Sequence, residues 1–317
     1  MQHAPRSLHS RTAATRRGRL ALGLALALGA GAAGIFGSGA LNAARATQEQ
    51  AAGDQTDPLA AALAESGIHF DRSAGWLAFD SQVGVVDQAL EYLLVTAGGA
   101  RHESLLTCEV EPSVVNAALL ALGLEPGTNA VWNAVGEELV VLPGEKEEEL
   151  DLEAEPWRQR TVYEVTPPTG DGLFLHVAWR RGEELFFQRV EDLLVDAERD
   201  RPMRRHRMVY LGSKWIDVDG EQVFAADRER NLISVALFSN GHVLLTPALP
   251  ECERQDGWFA NPWLLPERGA PVLLIASRER LAAIPEGCRE RLPDLGPEDG
   301  PETVRSTSAA PGAAGPQ

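Results

Sequence analysis

The sequence predicts an α+β fold class, a mostly antiparallel, sheet-rich domain with a few short helices. Short runs of large apolar and β-branched residues recur between turns that contain Gly or Pro, whereas apolar residues at helical spacing are confined to brief segments. Neighbouring strands with few helices between them favour antiparallel pairing over a doubly wound parallel sheet. The 317 residues, 44% hydrophobic and 24% charged, suffice for a packed core.

Residues 1–46 have the composition of an export signal. Five arginines precede an uncharged run over residues 20–44, and Ala44-Arg45-Ala46 is a small-x-small cleavage site. We therefore expect an extracytoplasmic protein, periplasmic or secreted. The alternative is an uncleaved membrane anchor over residues 20–44, because a run of this length at about 1.5 Å per residue spans a bilayer core of about 30 Å.

Polar segments flank the expected folded body. Residues 47–58 have the composition of a solvated linker. Residues 285–317 are rich in Pro, Gly, Ser and charged residues, which leave too little apolar surface to offset the entropy of ordering. The domain is accordingly expected over residues 59–284, followed by a disordered tail.

Turn and cap residues predict the first elements of this body. Asp57-Pro58 indicates a short helix that ends at Gly67, and Pro112 opens a second helix that Gly123 ends. Gly98-Gly99 predicts a hairpin, because paired glycines supply the positive φ values of tight turns. Strands are expected over Trp76–Phe79, Leu90–Thr96 and Ser104–Val110.

Beyond Gly127 strands alternate with charged loops. The acidic run over residues 143–156 is expected to be a solvated insertion. Glu191–Ala197 is expected to be a short helix, and Asp219-Gly220 predicts a type I′ hairpin turn. The other strands are expected over Glu138–Leu142, Thr161–Val165, Leu173–Trp179, Glu184–Val190, Val209–Leu211, Gln222–Ala226, Leu232–Phe238 and Pro271–Ala276.

Three segments carry a family resemblance. They are LEYLLVTAGGARHESLLTCEVEPSVVNAALLALGLEPG from Leu90, the Gly-Ser strand and Asp-Gly turn of Val209–Phe238, and WFANPWLLPERGAPVLLIA from Trp258. Together they resemble the YdjY-type domain, a family of exported bacterial proteins of unassigned activity, over roughly residues 68–280. The resemblance implies a shared fold and an extracytoplasmic setting, but no known reaction. Asn116 stands where relatives commonly carry a His.

The segment His102-Glu103-Ser104 is the first candidate for chemistry. On a strand His102 and Ser104 share one side, and serine hydrolysis needs such an imidazole beside the hydroxyl, with an orienting carboxylate. The candidate catalytic residues are therefore His102, Glu103 and Ser104, with Asp227 as a carboxylate that the fold could bring near. No G-x-S-x-G motif accompanies them. The alternative is that His102 and Ser104 satisfy backbone groups at a hairpin edge, with Glu103 as a surface or paired carboxylate.

The sequence predicts neither a cofactor nor a metal site. Cys108, Cys252 and Cys288 are widely separated and outside any C-x-x-C, which excludes an iron–sulfur cluster or a structural zinc site within one chain. The histidines form no H-x-H or H-x-x-x-H pair. A metal site assembled from distant segments stays open. Cys252–Cys288 is the preferred disulfide, because Cys108 lies between apolar neighbours.

Charge narrows the classes of partner. The formal charge is −17, although residues 1–46 hold six arginines and no acidic residue. Nucleic acid is excluded as a partner, because its affinity depends on Lys and Arg that replace phosphate counterions. We expect a binding or accessory module with a protein or small-molecule partner, and membrane contact only through residues 20–44 if they stay uncleaved. The alternative is a hydrolase or metal-dependent enzyme centred on His102 and Ser104.

Overall fold

The computed structural model describes residues 57–297, so the predicted export signal or anchor, most of the linker and the end of the tail lie outside the described residues. Strands dominate this range and helices are few and short, as predicted. None of its helices is long and apolar enough to cross a membrane. The α-helices are α1 (Pro58–Glu65), α2 (Pro112–Ala121), α3 (Ala225–Glu229) and α4 (Glu286–Arg289). Short 3-10 turns span Arg101–Glu103, Glu147–Glu149, Pro156–Arg158, Val190–Leu193 and Pro250–Glu253.

The strands follow in chain order. The first nine are β1 (Ile68–Asp71), β2 (Trp76–Val83), β3 (Tyr92–Thr96), β4 (Ser104–Cys108), β5 (Val131–Leu139), β6 (Gln159–Thr166), β7 (Gly172–Arg181), β8 (Glu184–Arg189) and β9 (Leu194–Asp196). The others are β10 (Arg201–Pro202), β11 (Met208–Tyr210), β12 (Trp215–Val218), β13 (Glu221–Phe224), β14 (Asn231–Ser234), β15 (Leu245–Thr246), β16 (Trp258–Ala260) and β17 (Pro271–Ser277).

Eight of these strands close into a barrel, which the sequence analysis does not predict. Their order is β2-β17-β7-β11-β15-β14-β3-β4, and β4 returns to pair with β2. The pairs β14–β15 and β3–β4 are parallel, and the other six neighbouring pairs are antiparallel. β1 and β8 extend the sheet outside the ring, while β5–β6, β12–β13 and β10-β9-β16 form separate small sheets.

The barrel interior is a packed core. Leu77, Phe79 and Leu274 from the strands meet Val115 and Leu119 of α2 at one end of the ring, and only about 10 Å³ remains among them. Small barrels of eight strands are commonly filled by side chains in this way. α2 therefore closes this end of the barrel, and the helix predicted between Pro112 and Gly123 is confirmed. A ligand site has to be sought on the outside.

The hairpin predicted at Gly98-Gly99 is wrong. β3 and β4 pair in parallel, with Tyr92 opposite Ser104, so the intervening chain runs back along the sheet. Neither glycine has a positive φ. Gly99 is instead needed for close approach, because a Cβ there would lie 2.5 Å from the carbonyl oxygen of Arg230.

Two further local predictions have opposite outcomes. The type I′ turn is confirmed, since Asp219 and Gly220 have φ values of 56° and 87° and join the paired strands β12 and β13. The helix expected over Glu191–Ala197 is wrong. That segment is a 3-10 turn followed by β9, which pairs with β16 and β10.

The folded body continues past the boundary predicted at residue 284. α4 follows that point, and Cys288 and Leu292 are buried together with Ile284 against the outer face of the barrel. Burial of these side chains in one apolar cluster offsets the entropy of ordering the segment. The start of the predicted disordered tail, residues 285–297, is therefore part of the body.

Candidate functional site

The segment that carries the catalytic prediction enters a strand rather than lying within one. Arg101–Glu103 form a 3-10 turn and β4 begins at Ser104. His102 exposes 79% of its side chain, and its Nε2 lies 3.6 Å from Oε2 of Glu103. Ser104 is buried, and its hydroxyl donates a 2.8 Å hydrogen bond to the Leu106 carbonyl oxygen. The alternation rule that paired His102 with Ser104 therefore does not apply here.

Asp227 makes a structural contact. It lies in the first turn of α3, and its Oδ1 accepts a 2.8 Å hydrogen bond from the backbone N–H of Ser113. Ser113 is in the first turn of α2, where backbone N–H groups have no partner within the helix. The described contacts thus join Asp227 to a helix terminus and Glu103 to His102. A catalytic role for these residues stays a prediction.

A gap opens in the sheet where β2 changes partners. Residues 76–79 of β2 pair with β1, whereas Gln82 and Val83 pair with β4. β17 occupies the other edge of β2, so β1 and β4 follow one another along the same edge. Asp80 and Ser81 lie between the two pairings. The gap is a consequence of closing the ring through only two residue pairs.

A cavity of about 610 Å³ lies at this gap, and we name it the seam cavity. Its walls come from β2, β4, the turn after α1 and the segment that follows α4. Its volume is within the range of roughly 300–1,000 Å³ that small-molecule sites occupy. The polar residues that line it are Ser66, Asp80, Ser81, Gln82, Thr107, Glu109 and Arg291.

Ser81 is the polar group in this wall that most needs a partner. The residue is 3% exposed, and its Oγ has no hydrogen-bond partner in the described structure. On β2 it occupies an inward position between the buried Phe79 and Val83. A buried hydroxyl without a partner costs about 1–3 kcal/mol. The Ser81 hydroxyl is therefore an unsatisfied polar group within the wall, and it does not open onto the seam cavity.

A second cavity of about 370 Å³ continues from the first, and we name it the basic cavity. The two share Gln82 and Thr107, and together they form what we call the seam groove. Arg101, Arg268 and His102 line the basic cavity. Within residues 57–297 neither of the two arginine side chains has a hydrogen-bond or ion-pair partner. Free guanidinium groups favour an anionic group here, even though the protein as a whole is acidic.

The cysteines are buried thiols. Cys108 lines the seam cavity, and burial raises its pKa to about 12, which keeps it protonated and a poor nucleophile. The predicted Cys252–Cys288 disulfide is wrong, because all three cysteines are free. Cys252 is buried in the main core, whereas Cys288 lies in a separate cluster outside the barrel.

The histidines lie in unrelated environments. His176 is buried in β7 and stacks on Phe187, with the ring centroids 4.6 Å apart, and burial lowers its pKa to about 4. His242 pairs with Glu229 in another part of the fold. In the part of the chain that the structure describes, no group of three His, Cys, Asp or Glu side chains could hold a metal ion.

The sequence analysis missed most of the seam groove. His102 was singled out, but for a pairing with Ser104 rather than for a position beside Arg101 and Arg268. One signal was present. Ser81 interrupts the apolar residues at the inward positions of β2, where a polar side chain needs a partner. The remaining residues come together only through closure of the barrel.

Comparison with known proteins identifies no relative. No protein-family model matches the chain, and neither the curated proteins nor the solved structures include a significant match. These comparisons do not bear on the resemblance to the YdjY-type domain. That resemblance therefore stays a prediction.

Proposed function

We propose that this protein is a binding module whose seam groove holds a small polar ligand. The single observation that carries this function is the pair of exposed side chains Arg101 and Arg268, which line the basic cavity beside the ligand-sized seam cavity and have no side-chain partner among residues 57–297. Polar groups that fix a ligand are typically few and are set among apolar walls. Gln82, which is exposed on β2 and lines both cavities, supplies such a group.

The ligand carries an anionic group at one end. Arg101 and Arg268 offer planar donor pairs that match a carboxylate, phosphate or sulfate, and no carboxylate of the described residues occupies them. Gln82 and Thr107 line both cavities, so a ligand held by these arginines lies beside the seam cavity. The hydrolase alternative has less support, because the Ser104 hydroxyl is buried and bound to a backbone carbonyl.

We also propose that this module acts outside the cytoplasm as an accessory protein of the YdjY type. The support is the arginine-rich start and uncharged run of residues 1–46, together with the three motif segments of the body. Assignment to the α+β class belongs to the same proposal. It is supported by short helices that pack on a mostly antiparallel sheet.

A ligand screen with a blocked groove tests the function. Small carboxylates, phosphates, amino acids and sugars are screened by thermal shift, and each hit is titrated calorimetrically. Gln82→Trp places a large ring where the two cavities join. We expect it to weaken binding of the hits by at least about tenfold, or about 1.4 kcal/mol.

The matched control is Gln222→Trp, the same substitution on the exposed strand β13. It is expected to leave binding unchanged. Hits that bind Gln82→Trp as tightly as the original protein would place the ligand elsewhere and contradict the proposed function. Arg101→Gln and Arg268→Gln test whether these arginines bind the anionic group of the ligand. Both variants are expected to weaken the binding of acids but not of neutral ligands.

A further inference from the structure

The strands β5 and β6 with the chain between them, residues 131–166, form an arm that contributes little to the core. Most residues of both strands are exposed, although alternate residues point to opposite faces. Trp132 and Val165 pack on the core at its base. The two strands pair only with each other. Beyond this base the arm is exposed and therefore available to a partner.

The arm presents an unusual amount of apolar surface. Seven of the twelve large hydrophobic side chains that residues 57–297 expose lie on it, and Val135 and Tyr163 are 58% and 48% exposed. Exposed apolar side chains grouped in one region are typical of interaction surfaces. The seven are Val131, Val135, Val141, Leu142, Leu152, Trp157 and Tyr163.

The same segment is strongly acidic. Residues 131–166 contain ten acidic and three basic residues. The exposed run Glu147–Glu149 adds its charge next to Leu142 and Leu152. An apolar surface with an acidic border favours a partner that carries Lys and Arg around an apolar patch.

The acidic run is exposed, as expected for a solvated insertion, but ion pairs of Arg158 hold its two ends in a fixed shape. The Arg158 side chain is only 5% exposed. Its two terminal nitrogens donate to both carboxylate oxygens of Glu145 at 2.6 and 2.9 Å, and its Nε donates to Glu155 at 2.6 Å. Its Nη1 also donates to the Val140 carbonyl oxygen at 3.1 Å. Ordering of the run thus occurs on folding, which lowers the entropy cost of binding.

We propose that the β5–β6 arm is a docking surface for a basic protein partner. This goes beyond the seam groove, which binds a small molecule at another part of the fold. A second copy of the chain fits the arm poorly, because two acidic surfaces repel one another and the chain carries a formal charge of −17. The partner buries Tyr163 and Val135 while its basic residues meet the glutamates of the acidic run.

A random-peptide display library selected against the full chain tests this surface. We expect enriched peptides to combine basic with aromatic or aliphatic residues. Their affinity, measured by fluorescence anisotropy, is expected to fall at least tenfold in the double variant Glu147→Lys/Glu148→Lys and in Val135→Ser/Tyr163→Ser. The binding is also expected to weaken as salt rises from about 0.05 to about 0.5 M.

Matched variants elsewhere on the surface serve as controls. Glu183→Lys/Glu184→Lys reverses two exposed charges at the turn between β7 and β8, and Leu185→Ser/Trp263→Ser removes two exposed apolar side chains. Both are expected to bind the peptides normally. Absence of enrichment, enrichment of neutral or acidic peptides, or equal loss in the controls would overturn the proposal. So would sedimentation that shows a dimer dissolved by the arm variants, since the occupant would then be a second copy.

Discussion

The Tyr210 hydroxyl donates a 2.6 Å hydrogen bond to the Oδ1 of Asn116. Tyr210 is a buried residue of β11 in the barrel wall, and Asn116 lies midway along α2. Burial raises the pKa of Tyr210 to about 12, so the phenol remains a hydrogen-bond donor at neutral pH. The bond fastens the helix that closes the barrel to the barrel wall.

Loss of either partner of this bond is expected to destabilise the protein. Tyr210→Phe and Asn116→Ala should each lower the free energy of unfolding by about 1–2 kcal/mol, because each leaves a partner unsatisfied. Urea unfolding of the two variants and of the double variant measures the coupling. Strictly additive losses would mean that the two side chains contribute independently.

Asp227 is expected to act on stability through its contact with α2. Asp227→Ala removes the carboxylate that accepts the Ser113 N–H and should lower the free energy of unfolding by about 1 kcal/mol. The control is Asp87→Ala, an exposed carboxylate outside any helix, with an effect below about 0.5 kcal/mol. Equal effects on thermal unfolding would remove the capping role.

Ser81 and Ser234 are expected to respond differently to the same substitution. Both are buried, but the Ser234 hydroxyl donates to Thr246 at 3.0 Å while Ser81 has no partner in the described structure. Ser234→Ala should cost about 1 kcal/mol of unfolding free energy, whereas Ser81→Ala should be neutral or stabilising in the ligand-free protein. A similar loss in both would show that Ser81 already has a structural partner.

Stability is expected to fall in acid through His176. Burial, reinforced by Arg189, lowers its pKa from 6.5 to about 4. Between pH 6.5 and 4 the imidazole is protonated in the unfolded chain but neutral in the folded chain. The free energy of unfolding therefore has its full value above pH 6.5 and decreases as pH falls toward 4. The loss is on the order of 2–3 kcal/mol.

His176→Phe tests the acid effect, because an aromatic ring there can still stack on Phe187. Urea unfolding of both proteins at neutral pH and near pH 4 gives the comparison. We expect the variant to lose less stability than the original protein. Parallel losses would assign the acid sensitivity to carboxylates such as Glu251, whose pKa its bonds to Arg204 lower to about 2.

Short sequence patterns are sufficient to predict part of the fold. Pro112 and the spacing of Val115 and Leu119 predict α2, and Asp219-Gly220 predicts its hairpin turn, because in each case the deciding residues are neighbours in sequence. The hairpin at Gly98-Gly99 fails for the opposite reason. Whether β3 and β4 pair antiparallel or parallel depends on their other neighbours, β14 and β2, and not on the residues that connect the two strands.

The seam groove could not be predicted from local pattern. Asp80 and Ser81 line a gap only because β1 and β4 share one edge of β2, and Arg268 lies at the basic cavity because the loop before β17 runs beside β2. The continuation of the folded body past residue 284 is easier to predict from the sequence. Ile284, Cys288 and Leu292 recur at a spacing of four, although the surrounding Pro, Gly and charged residues favour disorder.

Crystallographic fragment soaking measures the central claim most directly. Crystals of the protein are soaked with a library of small polar fragments, and the bound positions are mapped over the whole surface. We expect fragments to cluster in the seam groove, with a polar atom within hydrogen-bond distance of the Gln82 side chain and acidic fragments at Arg101 and Arg268. If fragments cluster elsewhere on the surface and none binds in the seam groove, the proposed binding function is contradicted.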